Sequence, residues 1–143
     1  MKMMSVRSPH VKDAPAGTWT NAKLFGTQFF VSGMTAHDGN GEVEGDGSMY
    51  DQARLTFQKI KHLVNAAGAA MDDVIEMTIY VTDITQRKEV WRARQEFFTG
   101  DFPCSTLVEV RALAAPPIHV EISVRGFVGA SQAGPPRQGI SSD

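Results

Sequence analysis

Residues 48–82 read SMYDQARLTFQKIKHLVNAAGAAMDDVIEMTIYVT, and this stretch decides the fold because it predicts a helix followed directly by a strand. Apolar residues recur at steps of four and three residues, at Ala53, Phe57, Ile60, Val64 and Ala67. This spacing predicts an amphipathic helix with one buried stripe. Ser48 and Asp51 resemble a capping box at its start, and Gly68 is placed to end it in the left-handed conformation.

The second part of this stretch, residues 74–82, is rich in β-branched residues and alternates like a strand. The alternation places Ile75, Met77, Ile79 and Val81 on one face of the predicted strand. The opposite face then carries Glu76, Thr78 and Tyr80.

Further elements are predicted on both sides of this unit. A tight turn at Gly26-Thr27 separates two short apolar runs, which predicts a hairpin. The predicted elements are strands at 22–25 and 28–32, a loop at 37–47, the helix from Ser48, the strand at 74–82, a helix at 86–98, and strands at 105–113 and 119–128. This order predicts an α+β two-layer sandwich with two helices on one face of a mixed sheet.

The chain of 143 residues is predicted to form one domain over residues 14–128. Residues 1–13 are interpreted as an N-terminal extension, and residues 129–143 have the composition of a flexible tail. The sheet face without helices carries mixed polar and apolar residues. That pattern predicts contacts with other subunits.

Composition argues against several functional classes. The formal net charge is −2 and no block of basic residues is present, which argues against a nucleic-acid partner. No stretch approaches the roughly 20 apolar residues of a membrane span. The histidines show no ligand spacing and no nucleotide-binding glycine motif follows a strand, so neither a metal nor another cofactor is predicted. A single cysteine and no signal-like segment predict a cytoplasmic location.

Cys104 is the single cysteine, and it allows two interpretations. It is either a nucleophile with His119 on the next strand as its base, or a small buried filler at the start of a strand. The second interpretation is favoured.

Three segments together resemble the RidA/YjgF family of reactive intermediate deaminases. They are FVSG at 30–33; Gln52 with LVNAAG at 63–68 and the strand ending in VTD at 81–83; and FPCSTLVEV at 102–110 with VEI at 120–122. The resemblance covers roughly residues 14–128 and rests on the order and spacing of the segments.

This resemblance implies a chorismate-mutase-like fold that assembles as a homotrimer. The three sheets would line a central barrel, and small-molecule ligands would bind in clefts between subunits. The implied reaction is hydrolysis of imines or enamines of 2-amino acids to 2-keto acids and ammonia, without a cofactor.

The resemblance also implies roles for individual residues. Glu121 matches the glutamate that orients the attacking water, with pairing to Arg125 as the alternative interpretation. Trp19 matches an aromatic position near the cleft, where tyrosine is usual, and it is otherwise a core or interface residue. Ser32 and Gly33 would lie at the cleft floor, although Gly33 is alternatively needed only for a backbone turn.

The chain departs from the family pattern at Ser105, where an arginine usually binds the substrate carboxylate. Cys104 precedes this position and is also a candidate binding residue. A hydroxyl group offers one neutral hydrogen bond in place of a charge-assisted fork. Simple 2-imino acids are therefore expected to be hydrolysed slowly or not at all, with a gain in activity from Ser105→Arg. Arg111 lies ~20 Å further along the strand. It is too far away to replace the missing side chain within one subunit. Among arginines of a neighbouring subunit, Arg125 is the best candidate by its facing, and the alternative is that no arginine replaces it.

The predicted function is an enamine or imine deaminase with altered substrate choice. The alternative is a non-catalytic trimer that binds a small metabolite. A ribonuclease, an activity named in an old label of this family, is disfavoured because no track of cations is present to bind phosphates.

Overall fold

The computed structural model describes residues 1–132, which form a six-stranded sheet with two helices packed on one face. The strands are β1 (Met3–Val6), β2 (Ala22–Phe25), β3 (Gln28–Met34), β4 (Val74–Val81), β5 (Cys104–Glu109) and β6 (Val120–Phe127), and the helices are α1 (Met49–Ala66) and α2 (Arg87–Arg94). The spatial order is β1-β2-β3-β6-β4-β5. Only the β4–β5 pair is parallel among these strands, so the sheet is mixed and the predicted α+β sandwich is confirmed.

Helix α1 forms as its sequence predicts. The Ser48 hydroxyl accepts a hydrogen bond from the Asp51 backbone N–H at 3.1 Å, and Gly68 follows the helix with a φ of 88°. The five residues of the apolar stripe are all buried against the sheet and α2.

Buried Gln52 connects α1 to the start of β6. Its Nε2 donates to the backbone oxygens of Gly47 and Pro117, each at 2.9 Å, and its Oε1 accepts from the His119 backbone N–H at 2.9 Å. The fully buried carboxamide thus satisfies backbone groups of two loops. This connection fixes where β6 begins, and therefore where Glu121 lies.

The N-terminal segment differs from the prediction, because it contributes β1 to the sheet. β1 pairs with β2 from Met3 opposite Phe25 to Val6 opposite Ala22, and Val6 is buried. Four residues give too short a run for alternation to be recognised in the sequence.

Two predicted elements are too long. β5 ends at Glu109, four residues before the expected end, and α2 ends at Arg94 and continues as turns. The expected facing of Ile75 is also wrong. A register shift between Val74 and Glu76 buries Val74 and leaves Ile75 exposed.

The helix-free face of the sheet carries large exposed apolar side chains beside polar ones. Phe30 on β3 lies opposite Lys23 and Arg125, and Phe25, Val108 and Phe127 are also exposed. Apolar exposure of this extent is typical of a surface that contacts another protein.

Asp73 connects the domain to the residues that follow β6. Its buried carboxylate accepts hydrogen bonds from the backbone N–H groups of Ala70, Gly129 and Ser131 and from the Ser131 hydroxyl, at 2.7–3.2 Å. Residues 129–131 are therefore attached to the domain, although the sequence predicted a flexible tail from residue 129. The rest of that predicted tail, residues 133–143, lies outside the described residues.

Asp73→Asn should destabilise the protein by about 1–3 kcal/mol at pH 7, because charge-assisted hydrogen bonds are lost. Burial would raise the pKa of Asp73, but the bonds from Ala70, Ser131 and Gly129 outweigh it and lower that pKa below 3.8. The contribution is present above the unfolded-state pKa and is lost as the pH falls through the folded-state pKa. Urea unfolding should therefore show a smaller difference from wild type at pH 3 than at pH 7.

The matched control is Asp101→Asn, which changes an exposed carboxylate. An equal loss of stability in both variants, or a loss that does not depend on pH, would contradict the assigned role of Asp73.

Candidate active site

Glu121 lies over Gly33 on the helix-free face of the sheet. Strand alternation buries Val120 and Ile122 and turns Glu121 to the opposite face, beside Tyr80 of β4. A Cβ atom added at Gly33 would contact Glu121 Oε2 and would lie 2.8 Å from Cδ. The carboxyl group therefore occupies the space that any other side chain at position 33 would need.

Gly33 is needed for this close approach. Its φ is not positive, so its backbone lies outside the left-handed region that favours glycine. The alternative that Gly33 serves only a backbone turn is therefore wrong.

Glu121 is a partly buried carboxyl group without a cationic partner in the described part of the chain. Burial raises its pKa above the ordinary value of 4.5. Arg125 instead binds Glu76 Oε1 through Nη2 at 2.6 Å and Nε at 2.8 Å. The alternative that Glu121 pairs with Arg125 is therefore wrong.

Trp19 and Ser32 line an open cleft of about 470 Å³ on the same face, together with Lys23, Phe25 and Phe30. Trp19 is 57% exposed, so its interpretation as a core residue is wrong, whereas a cleft or interface role is compatible with its position. Its Nε1 donates to Asn21 Oδ1 at 3.1 Å. The Ser32 hydroxyl donates to the Thr20 backbone oxygen at 2.6 Å and is thereby held in place.

Cys104 is exposed at the start of edge strand β5, so the buried-filler interpretation is wrong. The interpretation of Cys104 as a nucleophile is also not supported, because His119, its proposed base, lies too far away. His119 Nδ1 lies 3.0 Å from the Thr82 hydroxyl, whereas Cys104 lies opposite Glu76 in the β4–β5 pair. Thr82 is six residues along the chain from Glu76, roughly 20 Å by strand rise, so Cys104 and His119 do not form a pair.

Ser105 lies beside an arginine that the sequence reasoning did not consider. It pairs with buried Met77, so its side chain lies on the helix side of the sheet at the exposed edge. Arg94 at the end of α2 donates from Nη1 to the Ser105 hydroxyl at 3.0 Å, and its guanidinium lies 6.0 Å from the Phe102 ring. The 11-residue separation between the two offers no helical or strand period that would have revealed the contact.

The candidate residues form two groups that one subunit does not bring together. Ser105 and Arg94 lie on the helix side, while Glu121 lies on the helix-free face. Ser105 pairs with Met77 and Glu121 with Tyr80, so the two positions are separated by roughly 14 Å across the sheet. Within one subunit these two groups therefore do not line a common cleft.

Within residues 1–132 no group of three histidine, cysteine or acidic side chains is placed to hold a metal ion. None of the helices in this range is long and apolar enough to cross a membrane.

A family model described as Endoribonuclease L-PSP matches residues 11–127, nearly the whole sheet and both helices. The chain belongs to this family. A solved structure from Mycobacterium tuberculosis, described as a member of the YjgF/YER057c/UK114 family, has a TM-score of 0.76 and 29% identity, and the match covers 89% of this chain and 100% of that one. The predicted RidA/YjgF membership and chorismate-mutase-like fold are confirmed.

Several relatives carry the name of a deaminase. A putative reactive intermediate deaminase, TdcF of Escherichia coli, is 30% identical over 101 residues, covering 68% of this chain and 77% of TdcF. A 2-iminobutanoate/2-iminopropanoate deaminase of Dermatophagoides farinae is 25% identical over 114 residues, covering 80% of this chain and 87% of the relative.

Proposed function

We propose that this protein is an enamine or imine deaminase, which hydrolyses a reactive C=N intermediate to a keto compound and ammonia. The observation that carries the proposal is Glu121, a partly buried carboxyl group held over Gly33 with no cationic partner among residues 1–132. The names of the two relatives support the same reaction class.

Glu121 suits the proton transfers of imine hydrolysis. Its carboxylate accepts a proton from a water molecule while the water oxygen attacks the imine carbon. The same proton then passes to the nitrogen, which gives a carbinolamine. The carboxylate next takes the proton of the new hydroxyl group and returns it to the nitrogen, so that the C=O bond forms as the C–N bond breaks and ammonia leaves. A raised pKa favours this exchange because both protonation states become accessible nearer neutral pH, whereas an ion pair would hold the group deprotonated.

The reaction site is proposed to lie between subunits of a homotrimer. The exposed apolar residues of the helix-free face and the separation of Ser105 from Glu121 support an interface cleft. Light scattering of the full chain in dilute buffer should give about three chain masses. A monomer at micromolar concentration would contradict the trimer and the shared cleft together.

Substrate choice is proposed to differ from that of family members with arginine at the Ser105 position. Ser105 offers a neutral hydroxyl at the strand edge, and this feature also favours the second candidate function, a trimer that binds a small metabolite without turnover. The deaminase and the non-catalytic binding protein are distinguished by an assay in which 2-imino acids of increasing side-chain size are generated in situ. Ammonia release should be accelerated for at least one member, whereas binding of the 2-oxo acids without acceleration for any member would favour the second candidate.

A further inference from the structure

Arg94 is a half-buried cation without a counter-ion among the described residues. Its Nε is the one buried side-chain nitrogen or oxygen in this part of the chain without a hydrogen-bond partner. Arg54, Arg92 and Arg125 each bind a carboxylate within 2.8 Å, but no acidic side chain pairs with Arg94. Burial lowers the pKa of Arg94 from its ordinary value, and this reflects the same unbalanced charge.

The terminal nitrogens of Arg94 are directed to an accessible edge. Nη1 donates to the hydroxyl of Ser105, which is exposed on edge strand β5. Nη2 also has no hydrogen bond within residues 1–132, and it is not among the buried atoms without a partner, so it reaches the surface. A guanidinium with an open terminal nitrogen and a neighbouring hydroxyl matches the two oxygens of a carboxylate.

We propose that Arg94 and Ser105 together form the carboxylate-binding site of this protein, with the positive charge supplied by α2 instead of β5. As a substrate site, this assignment rests on the proposed deaminase function. Arg94 belongs to the same subunit as Ser105, so no arginine from a neighbour is required. The absence of a counter-ion is explained because the ligand supplies it.

Supplying the positive charge from α2 instead of β5 also affects which substrates fit. An arginine at position 105 would carry its charge several ångströms beyond the strand, whereas Arg94 Nη1 lies 3.0 Å from the Ser105 hydroxyl. The bound carboxylate is therefore held closer to the strand edge, which leaves more room in the cleft for the rest of the ligand. Larger 2-imino acids should be favoured over the smallest ones.

The test measures calorimetric binding of 2-oxobutanoate, a 2-oxo acid of the product class, to the full-length protein. Arg94→Met should weaken binding by about tenfold to a hundredfold, because a charge-assisted contact is lost. Arg94→Lys should retain part of the affinity, since it keeps the charge without the planar fork. The matched control is Arg92→Met on the same helix, where Glu89 and the Tyr50 ring already bind the arginine, and its affinity should equal that of wild type.

Moving the charge back to the strand separates a binding role from a structural one. Ser105→Arg combined with Arg94→Met should recover most of the lost affinity. Thermal unfolding of Arg94→Met should show an unchanged or raised Tm. The variant removes a desolvated charge and a buried Nε without a partner, which offsets the loss of the one hydrogen bond to the exposed Ser105 hydroxyl.

Wild-type affinity in Arg94→Met, or no 2-oxobutanoate binding by the wild type at millimolar concentration, would overturn the assignment. A lowered Tm in Arg94→Met without recovery in the double variant would also overturn it, since Arg94 would then be structural. If binding depends on Arg94 but imine hydrolysis is not accelerated, the carboxylate-binding site is supported and the deaminase function is rejected. Turnover that requires Glu121 but not Arg94 would support the deaminase and reject the Arg94 carboxylate site.

Discussion

Glu121→Gln is expected to reduce imine hydrolysis by about 10²- to 10⁴-fold, the usual contribution of a general acid–base group. Glutamine keeps the size and a hydrogen-bonding oxygen but neither accepts the proton of the attacking water nor returns it to nitrogen. The measurement is the initial rate of ammonia release from a freshly generated 2-imino acid. Glu42→Gln in the exposed loop is the matched control and should have the wild-type rate.

The same variant should be more stable than wild type at neutral pH. Burial raises the pKa of Glu121 in the folded protein, so the charged form opposes folding above that pKa. The gain from Glu121→Gln should be full above the raised folded-state pKa and should disappear as the pH falls below the ordinary value of 4.5, where wild-type Glu121 becomes neutral in both states. Lost activity together with lost stability would instead indicate that Glu121 supports the fold.

Gly33→Ala should cause a loss of turnover of similar size with a much smaller effect on folding. The new methyl group would clash with Glu121 Oε2, so the carboxyl group must rotate away from its place. The far end of a flexible side chain moves at little cost, whereas a misplaced catalytic group costs orders of magnitude in rate. Kinetics and thermal unfolding of the same preparation separate these two effects.

The control for Gly33→Ala is Gly41→Ala, which adds a methyl group into open space at a φ of 87°. It should lower stability through backbone strain and leave the rate of turnover unchanged, which is the opposite pattern. A double-variant cycle gives a sharper test, because Gly33→Ala should add little to the loss already caused by Glu121→Gln. Additive losses would mean that Gly33 acts through something other than the position of Glu121.

The helix and strand patterns were predictable from the sequence, because packing one face of an element on the core makes its apolar residues recur at a fixed spacing. The stripe of α1, its Ser48 cap and the alternation around Glu121 all follow from one face of an element packing on the core. The strand patterns also placed Ser105 and Glu121 on strands that form, β5 and β6. They could not show how these residues contact their neighbours.

Contacts without a sequence period were missed. Arg94 reaches Ser105 from the end of α2, and Glu121 lies against Gly33 from a strand 88 residues later in the chain. Both depend on the packing of side chains across elements, which no local pattern encodes. The bulge that exposes Ile75 was missed for a different reason, since one inserted residue reverses the alternation that the prediction relies on.

Arg94 and Glu121 share one physical property, a charge removed from water without a compensating partner in the described chain. Such groups reduce stability, so their presence is characteristic of a site kept for function. In the proposed cleft between subunits, the two opposite charges would bind a carboxylate at one end and activate water at the other.

The most direct test of the proposed function is the time course of ammonia release from freshly generated 2-iminobutanoate, with wild type, Glu121→Gln and buffer compared side by side. We predict that wild type releases ammonia faster than buffer and that Glu121→Gln does not differ from buffer. Equal time courses for all three, repeated across 2-imino acids of increasing size, would contradict the proposed function.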